Sequence, residues 1–76
     1  MSLEEAARQL KMAVHDAQVA FDCVGLGDID RAQEHAVTAR AAADAAEVAL
    51  AAAISDLTPE QALAEGERAV SALEEA

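Results

Sequence analysis

The sequence predicts an all-α fold, an antiparallel three-helix bundle dominated by a long helical hairpin. Residues 28–56 hold twelve alanines and neither proline nor glycine, which favours one uninterrupted helix because alanine has the highest helix propensity. Small and apolar residues recur at alternating steps of three and four, as in coiled coils. Gly25, Gly27 and Pro59 divide a single domain, 1–76, into three helices. The predicted bounds are 3–24 for helix 1, 29–56 for helix 2 and 59–75 for helix 3.

Helix 1 is predicted to begin at Leu3, because Ser2 and Glu5 match the S-x-x-E capping box. Its apolar residues form a seam with alternating steps of four and three, and Ala6 and Ala13 beside the seam widen the stripe. The seam predicts which side of helix 1 meets helix 2. The members of the helix 1 seam are Leu3, Ala7, Leu10, Val14, Ala17, Phe21 and Val24.

The turn after helix 1 is short and contains two glycines. We expect Gly25 to adopt the left-handed conformation that ends many helices, in a Schellman turn that places Leu26 over Phe21. Gly27 then frees the backbone, and Asp28 caps helix 2. So short a connection requires helices 1 and 2 to pack antiparallel.

Helix 2 has its own heptad seam, which we expect to face the seam of helix 1. Pairing the two seams about the turn places bulky side chains of helix 1 against alanines of helix 2, so that they interdigitate. The flanks of this pairing predict two surface ion pairs, Arg8 with Glu47 and Asp16 with His35, each worth about 0–1 kcal/mol. The members of the helix 2 seam are Ile29, Ala32, Ala36, Ala39, Ala43, Ala46, Leu50, Ala53 and Leu57.

A second apolar row, the outer row, lies on helix 2 away from its seam. Its members are Val37, Ala41, Ala45, Val48 and Ala52.

Thr58, Pro59 and Gln61 form a strong start signal for helix 3, which we expect to return along helix 2 and cover part of this row. Gly66 could permit a close helix crossing or could simply be tolerated within helix 3, and we favour the close contact. The part of the outer row that helix 3 leaves uncovered needs another partner, and we therefore predict a homodimer that forms a larger bundle. Its predicted interface is Val37, Ala41, Ala45, Val48, Ala52, Ile54, Leu63, Gly66, Val70 and Leu73.

Composition and charge exclude several classes of partner. The 22 alanines predict a broad but thin core, because each buried alanine contributes only about 0.8 kcal/mol. The net charge of −10, with scattered lysines and arginines, argues against binding to nucleic acids or to anionic membranes. The only cysteine, Cys23, has no intrachain partner, and no signal sequence or membrane span is recognisable. We therefore expect a cytoplasmic protein.

Candidate chemical groups are few. Neither His15 nor His35 has an acidic residue three positions earlier, so the Glu-x-x-His pattern of di-metal bundles is missing. Cys23 lies among acids, which disfavour a reactive thiolate. Arg31 lies one turn before His35 on helix 2, and we interpret it as pairing with a nearby acid. We predict no catalytic residue, no cofactor and no metal.

The turn sequence Gly27-Asp28-Ile29-Asp30-Arg31-Ala32 resembles tetratricopeptide hairpins. It also resembles the helical phosphocarrier domains of the lactose/cellobiose sugar phosphotransferase system. Those carriers place a phosphorylated histidine late in their second helix, about where Glu47 stands in this chain. No internal repeat supports a tetratricopeptide array. Neither family is assigned.

The excess of apolar helical surface favours a non-enzymatic function. We predict a small acidic protein–protein interaction and assembly module that self-associates through the outer face of helices 2 and 3, with a further protein partner as an option. The alternative from another class is a carrier or regulatory subunit. In that role His15 or His35 would take a phosphoryl group or a metal ion.

Overall fold

Three α-helices make up the computed structural model, which describes residues 2–75, with side chains described for residues 3–74. Helix α1 spans Ser2–Gly25, α2 spans Ile29–Asp56 and α3 spans Pro59–Glu75. Over the described residues, the predicted all-α three-helix bundle is confirmed, as is the dominant hairpin of α1 and α2. The bounds of α2 and α3 agree with the sequence prediction, and α1 is one residue longer at each end.

The turn between α1 and α2 is a Schellman motif centred on Gly27. The Asp28 amide donates to the Cys23 carbonyl at 2.9 Å, and the Gly27 amide donates to the Val24 carbonyl at 3.0 Å. Gly27 has the left-handed φ of 73° that this motif requires. The prediction that Gly25 takes this role is wrong, because α1 continues through Gly25 and the chain reverses two residues later.

The predicted caps of α2 and α3 are confirmed. The Asp28 carboxylate accepts a hydrogen bond from the Arg31 amide at 3.3 Å. Thr58 and Gln61 form a reciprocal capping box, in which the Gln61 amide donates to the Thr58 hydroxyl at 3.1 Å and the Thr58 amide donates to Gln61 Oε1 at 2.9 Å. Each cap satisfies backbone amides that have no partner within their own helix.

The cap predicted for α1 falls on Ser2, whose side chain lies outside the described residues. Glu5, the other member of the predicted capping box, instead accepts a hydrogen bond from Gln9 Nε2 at 2.8 Å and pairs with Arg8. The Gln9 hydrogen bond and the Arg8 charge together lower the pKa of Glu5 below its ordinary value. The predicted pair between Arg8 and Glu47 is therefore replaced by a local pair within α1.

Helices α1 and α2 meet through small side chains, which we call the alanine interface. On α1, each interface residue directly precedes a predicted seam residue, beginning with Ala6 before Ala7. The side of α1 that faces α2 is therefore rotated by about 100° around the helix axis from the predicted side. On α2 every second seam residue is retained. The least exposed residues along the two helices define it: Ala6, Gln9, Ala13, Asp16, Ala20 and Cys23 on α1, and Ala32, His35, Ala39, Ala42, Ala46, Ala49 and Ala53 on α2.

The predicted facing of the two seams is therefore wrong for α1. Leu10, Val14 and Phe21 do not enter the hairpin contact and remain exposed. The physical reason is the size of the side chains, because alanines on both helices allow the axes to approach to the short end of the roughly 8–10 Å range. Close approach brings more backbone and Cβ atoms into van der Waals contact than a layer of leucine and phenylalanine would.

Helix α3 packs on α1, and the expectation that it covers the outer row of α2 is wrong. Lys11 Nζ donates to the Leu73 carbonyl at 2.9 Å, and Leu3 lies against Gly66. Ala69, at the centre of the contact, is buried. Gly66 lies at this contact, but the expected close helix crossing is wrong, because a Cβ at this position would meet only the Leu3 side chain at an ordinary distance of 4.0 Å.

The helices lie side by side in one layer with α1 in the middle, since α2 and α3 touch each other only weakly. The Cα positions extend over 46 × 25 × 14 Å. The radius of gyration is 14.6 Å, compared with about 11 Å for a compact domain of this length. The molecule is therefore a flat plate, and both broad faces of α1 and α2 remain open.

Replacing Gly66 or Gly27 with alanine should have opposite effects on the stability of the fold. We expect Gly66→Ala to raise the free energy of unfolding by about 0.5–1 kcal/mol, because alanine favours the helix and its Cβ would lie 4.0 Å from Leu3 Cδ1, an ordinary contact distance. Gly27→Ala is the control: the space is open, but the left-handed φ should cost about 1–2 kcal/mol. Urea unfolding at one fixed protein concentration measures both, and a destabilised Gly66→Ala variant would contradict the packing described.

Candidate functional site

The buried core contains only small side chains. Among residues 3–74, the buried apolar residues are six alanines and Cys23, and none of the leucine, isoleucine, valine, methionine or phenylalanine side chains is fully enclosed. Folding of one chain therefore encloses mainly methyl groups, and thirteen of the larger apolar side chains in this range remain exposed. The exposed large residues are Leu10, Met12, Val14, Phe21, Val24, Leu26, Ile29, Val37, Val48, Leu50, Ile54, Leu63 and Val70.

The exposed area of the chain quantifies this excess. A folded monomer of 7.8 kDa typically exposes about 4,400 Å², whereas this chain exposes 5395 Å². The difference, about 1,000 Å², is close to the roughly 800 Å² that each partner contributes to a standard protein–protein interface. The plate-like arrangement accounts for the excess, because a single layer of helices can cover only the narrow sides of its middle helix.

A continuous apolar surface follows the predicted seam of α1, and we call it the open face. Its residues repeat at steps of three and four and so share one side of the helix. Three of them are strongly exposed, with Val14 at 70%, Phe21 at 74% and Val24 at 64%. The open face consists of Leu3, Ala7, Leu10, Val14, Ala17, Phe21 and Val24 on α1, Ala36, Ala43 and Leu50 on α2, and Val70 on α3.

Two grooves lie along the open face. The groove near the turn runs between α1 and α2 and is lined by alanines together with Phe21, Val24 and Gln33. The groove at the opposite end involves all three helices and is lined by residues that include Leu10, Leu50 and Val70. Their lining is almost entirely apolar, as in the centres of protein interfaces, which are depleted in charged residues.

The predicted interface residues divide between two environments. The valines of the outer row, Val37 and Val48, are exposed on α2, and so is Ile54. Gly66 and Leu73, by contrast, are partly covered because they pack within the chain, on α1. The remaining α2 members stay at the surface or partly covered, and Leu63 and Val70 are exposed on α3. Seven of the ten residues are therefore exposed, and the other three are partly covered.

His35 and Asp16 form the polar contact within the alanine interface. His35 Nδ1 lies 3.0 Å from Asp16 Oδ1, and the two side chains are 32% and 14% exposed. Because a carboxylate only accepts hydrogen bonds, Nδ1 is the donor. The predicted pairing is confirmed, although it lies between the helices and not on their outer flank. Such a pair can fix helix register, since sliding by one turn would leave both groups without a partner.

The other candidate groups do not converge on a reactive centre. His15 is exposed beside Arg8 and Lys11, in a shallow hollow on the polar side of α1. Arg31 Nε lies 4.0 Å from Asp28 Oδ2, close to the cap of α2. Cys23 is buried as a free thiol in the alanine interface, where it packs as a small apolar residue. Among the described residues, no group of three or more histidine, cysteine or acidic side chains is arranged to hold a metal ion.

Sequence reasoning identified the residues of the open face but assigned them to the hairpin contact. The signal for the alternative was present in Ala6 and Ala13, which mark a second stripe of small residues beside the seam. Small residues on both helices favour the closest approach, so that stripe enters the contact and the bulkier seam remains outside.

Comparisons with known proteins return no relative. No protein-family model matches the chain, and neither the curated proteins nor the solved structures give a match. Across residues 2–75, none of the helices combines the length and apolar character needed to cross a bilayer. The function of this chain is therefore inferred from the geometry of its open face.

The Asp16–His35 contact predicts an energetic coupling between the two helices. We expect a double-mutant cycle of Asp16→Ala and His35→Ala to give a coupling of about 0.5–1.5 kcal/mol, because each single change leaves a partly buried polar group without its partner. The matched control is the Gln18–Asp22 hydrogen bond on the surface of α1, for which we expect about 0.2–0.5 kcal/mol. Equal couplings in the two cycles, measured by urea unfolding, would contradict a register role for Asp16 and His35.

Proposed function

We propose that this chain is a small non-enzymatic assembly module that self-associates into a homodimer through its exposed apolar helical surface. The observation that carries the proposal is that, among residues 3–74, the buried apolar residues are six alanines and Cys23, whereas thirteen large apolar residues are exposed. Burying apolar surface contributes about 25 cal/mol per Å², so covering several hundred Å² in a dimer provides a substantial driving force. Isolated surface leucines need no such explanation, whereas a continuous apolar stripe does.

Charge shapes the proposed association. Each chain carries a net charge of −10, so two copies repel each other at long range. The seam of α1 contains no charged residue, which allows contact without desolvating an ion. Added salt shortens the range of the repulsion, to about 10 Å at 0.1 M, and should strengthen the homodimer. A basic protein partner would show the opposite salt dependence.

We propose a cytoplasmic location for this module. The chain has one cysteine, and its thiol is free and buried in the alanine interface. A small domain with so thin a core would be expected to use disulfides in an oxidising compartment. Association between copies supplies the missing stabilisation in a reducing one.

The molar mass in solution tests the proposal. We expect size-exclusion chromatography with light scattering to give twice the 7.8 kDa chain mass at high protein concentration, with dissociation on dilution. Raising the salt concentration from about 0.05 to 0.5 M should shift the equilibrium toward the dimer because it screens like charges. A chain that stays monomeric at every concentration and salt level would refute self-association.

A further inference from the structure

We propose that the open face is occupied by a second copy of this chain, with the two α1 helices crossing antiparallel on a two-fold axis at Val14. This inference rests on the proposed function and specifies its interface. It moves the contact from the outer row of α2 to the predicted seam of α1. The assembly would then be two helical layers facing each other.

The single-layer shape supports this partner. Stable domains usually consist of two packed layers of secondary structure around one core, and this chain provides one layer. The exposed area exceeds that of a typical monomer by about one side of a standard interface. A second identical layer supplies the missing surface without any other component, since a two-fold contact uses the same patch on both copies.

When the seam is reversed about Val14, two of its three symmetric pairs combine a large with a small side chain, and the end pair, Leu3 with Val24, combines two large ones. With Val14 on the two-fold axis, Phe21 lies seven residues to one side and Ala7 seven residues to the other, so each phenylalanine meets an alanine of the second copy. Leu10 and Ala17, four and three residues from Val14, form the next large-and-small pair. Facing layers that alternate large and small side chains interdigitate at close-packed density.

The position of α1 in the plate makes this crossing accessible. Because α2 and α3 flank α1 on opposite sides, the open face of α1 is the centre of the exposed plate. The grooves beside it, lined by Ala36 on α2 and Val70 on α3, would receive the flanks of the second copy. The outer row of α2 lies on a lateral helix of the layer.

Two valines with nearly equal exposure provide a matched test. Val14 is 70% exposed on the open face, and Val48 is 72% exposed on the outer row. We expect Val14→Glu to raise the dimer dissociation constant roughly a hundredfold or more, because two carboxylates would meet at the axis without water. Val48→Glu should change the constant less than about threefold, within the range of surface substitutions. Light scattering over a dilution series gives both constants, and circular dichroism checks that each variant remains helical.

A cysteine cross-link tests the axis itself and does not depend on how Val14→Glu folds. In a Cys23→Ala background, Val14→Cys should form an intermolecular disulfide under mild oxidation, because residues at a two-fold axis lie within the roughly 4–7 Å Cα separation that a disulfide needs. Val48→Cys in the same background should remain a thiol under those conditions.

The outcomes separate this inference from the proposed function. A dimer that survives Val14→Glu but dissociates with Val48→Glu, or that cross-links at Val48→Cys alone, overturns the open-face inference and keeps self-association. A wild-type chain that is monomeric at all concentrations overturns both. The chain could instead be a monomer whose open face binds anilinonaphthalene sulfonate, with that binding lost in Val14→Glu. This outcome would assign the open face to a different apolar partner and would overturn the inference that a second copy occupies it.

Discussion

The close packing of alanine against alanine between α1 and α2 is the constraint on which the rest of this structure depends. Small side chains allow the two helices to approach, and each buried methyl group adds about 0.8 kcal/mol while losing almost no side-chain entropy. The same choice directs leucine, valine and phenylalanine of α1 away from the contact. The packing of alanine against alanine thus produces both the thin core and the apolar open face.

Local chemistry at the turns holds this hairpin in place. The Schellman motif at Gly27 passes directly into the Asp28 cap, so one short segment ends α1 and begins α2. The Asp16–His35 hydrogen bond then adds a specific contact to an interface otherwise made of nearly interchangeable alanines. A uniform row of small residues provides little information about register, and a polar pair can supply it.

The position of α3 turns the hairpin into a plate. Helix α3 packs on the edge of α1 opposite to α2, so it widens the layer and leaves the open face accessible. A third helix in the groove between α1 and α2 would have covered that face. The resulting shape joins capped helices to an uncharged apolar stripe on α1.

The sequence by itself determined the three helices, the bounds of α2 and α3 and the caps at Asp28 and Thr58, because these depend on residues close together in the chain. It also determined the Asp16–His35 pairing, which follows from the antiparallel hairpin. Only the tertiary structure decided which stripe of α1 faces α2, that Gly27 takes the left-handed position, and that α3 packs on α1. Two apolar stripes lie one residue apart on α1, and periodicity alone detects both. The choice between them depends on how closely two helices can approach, which is a property of both surfaces together.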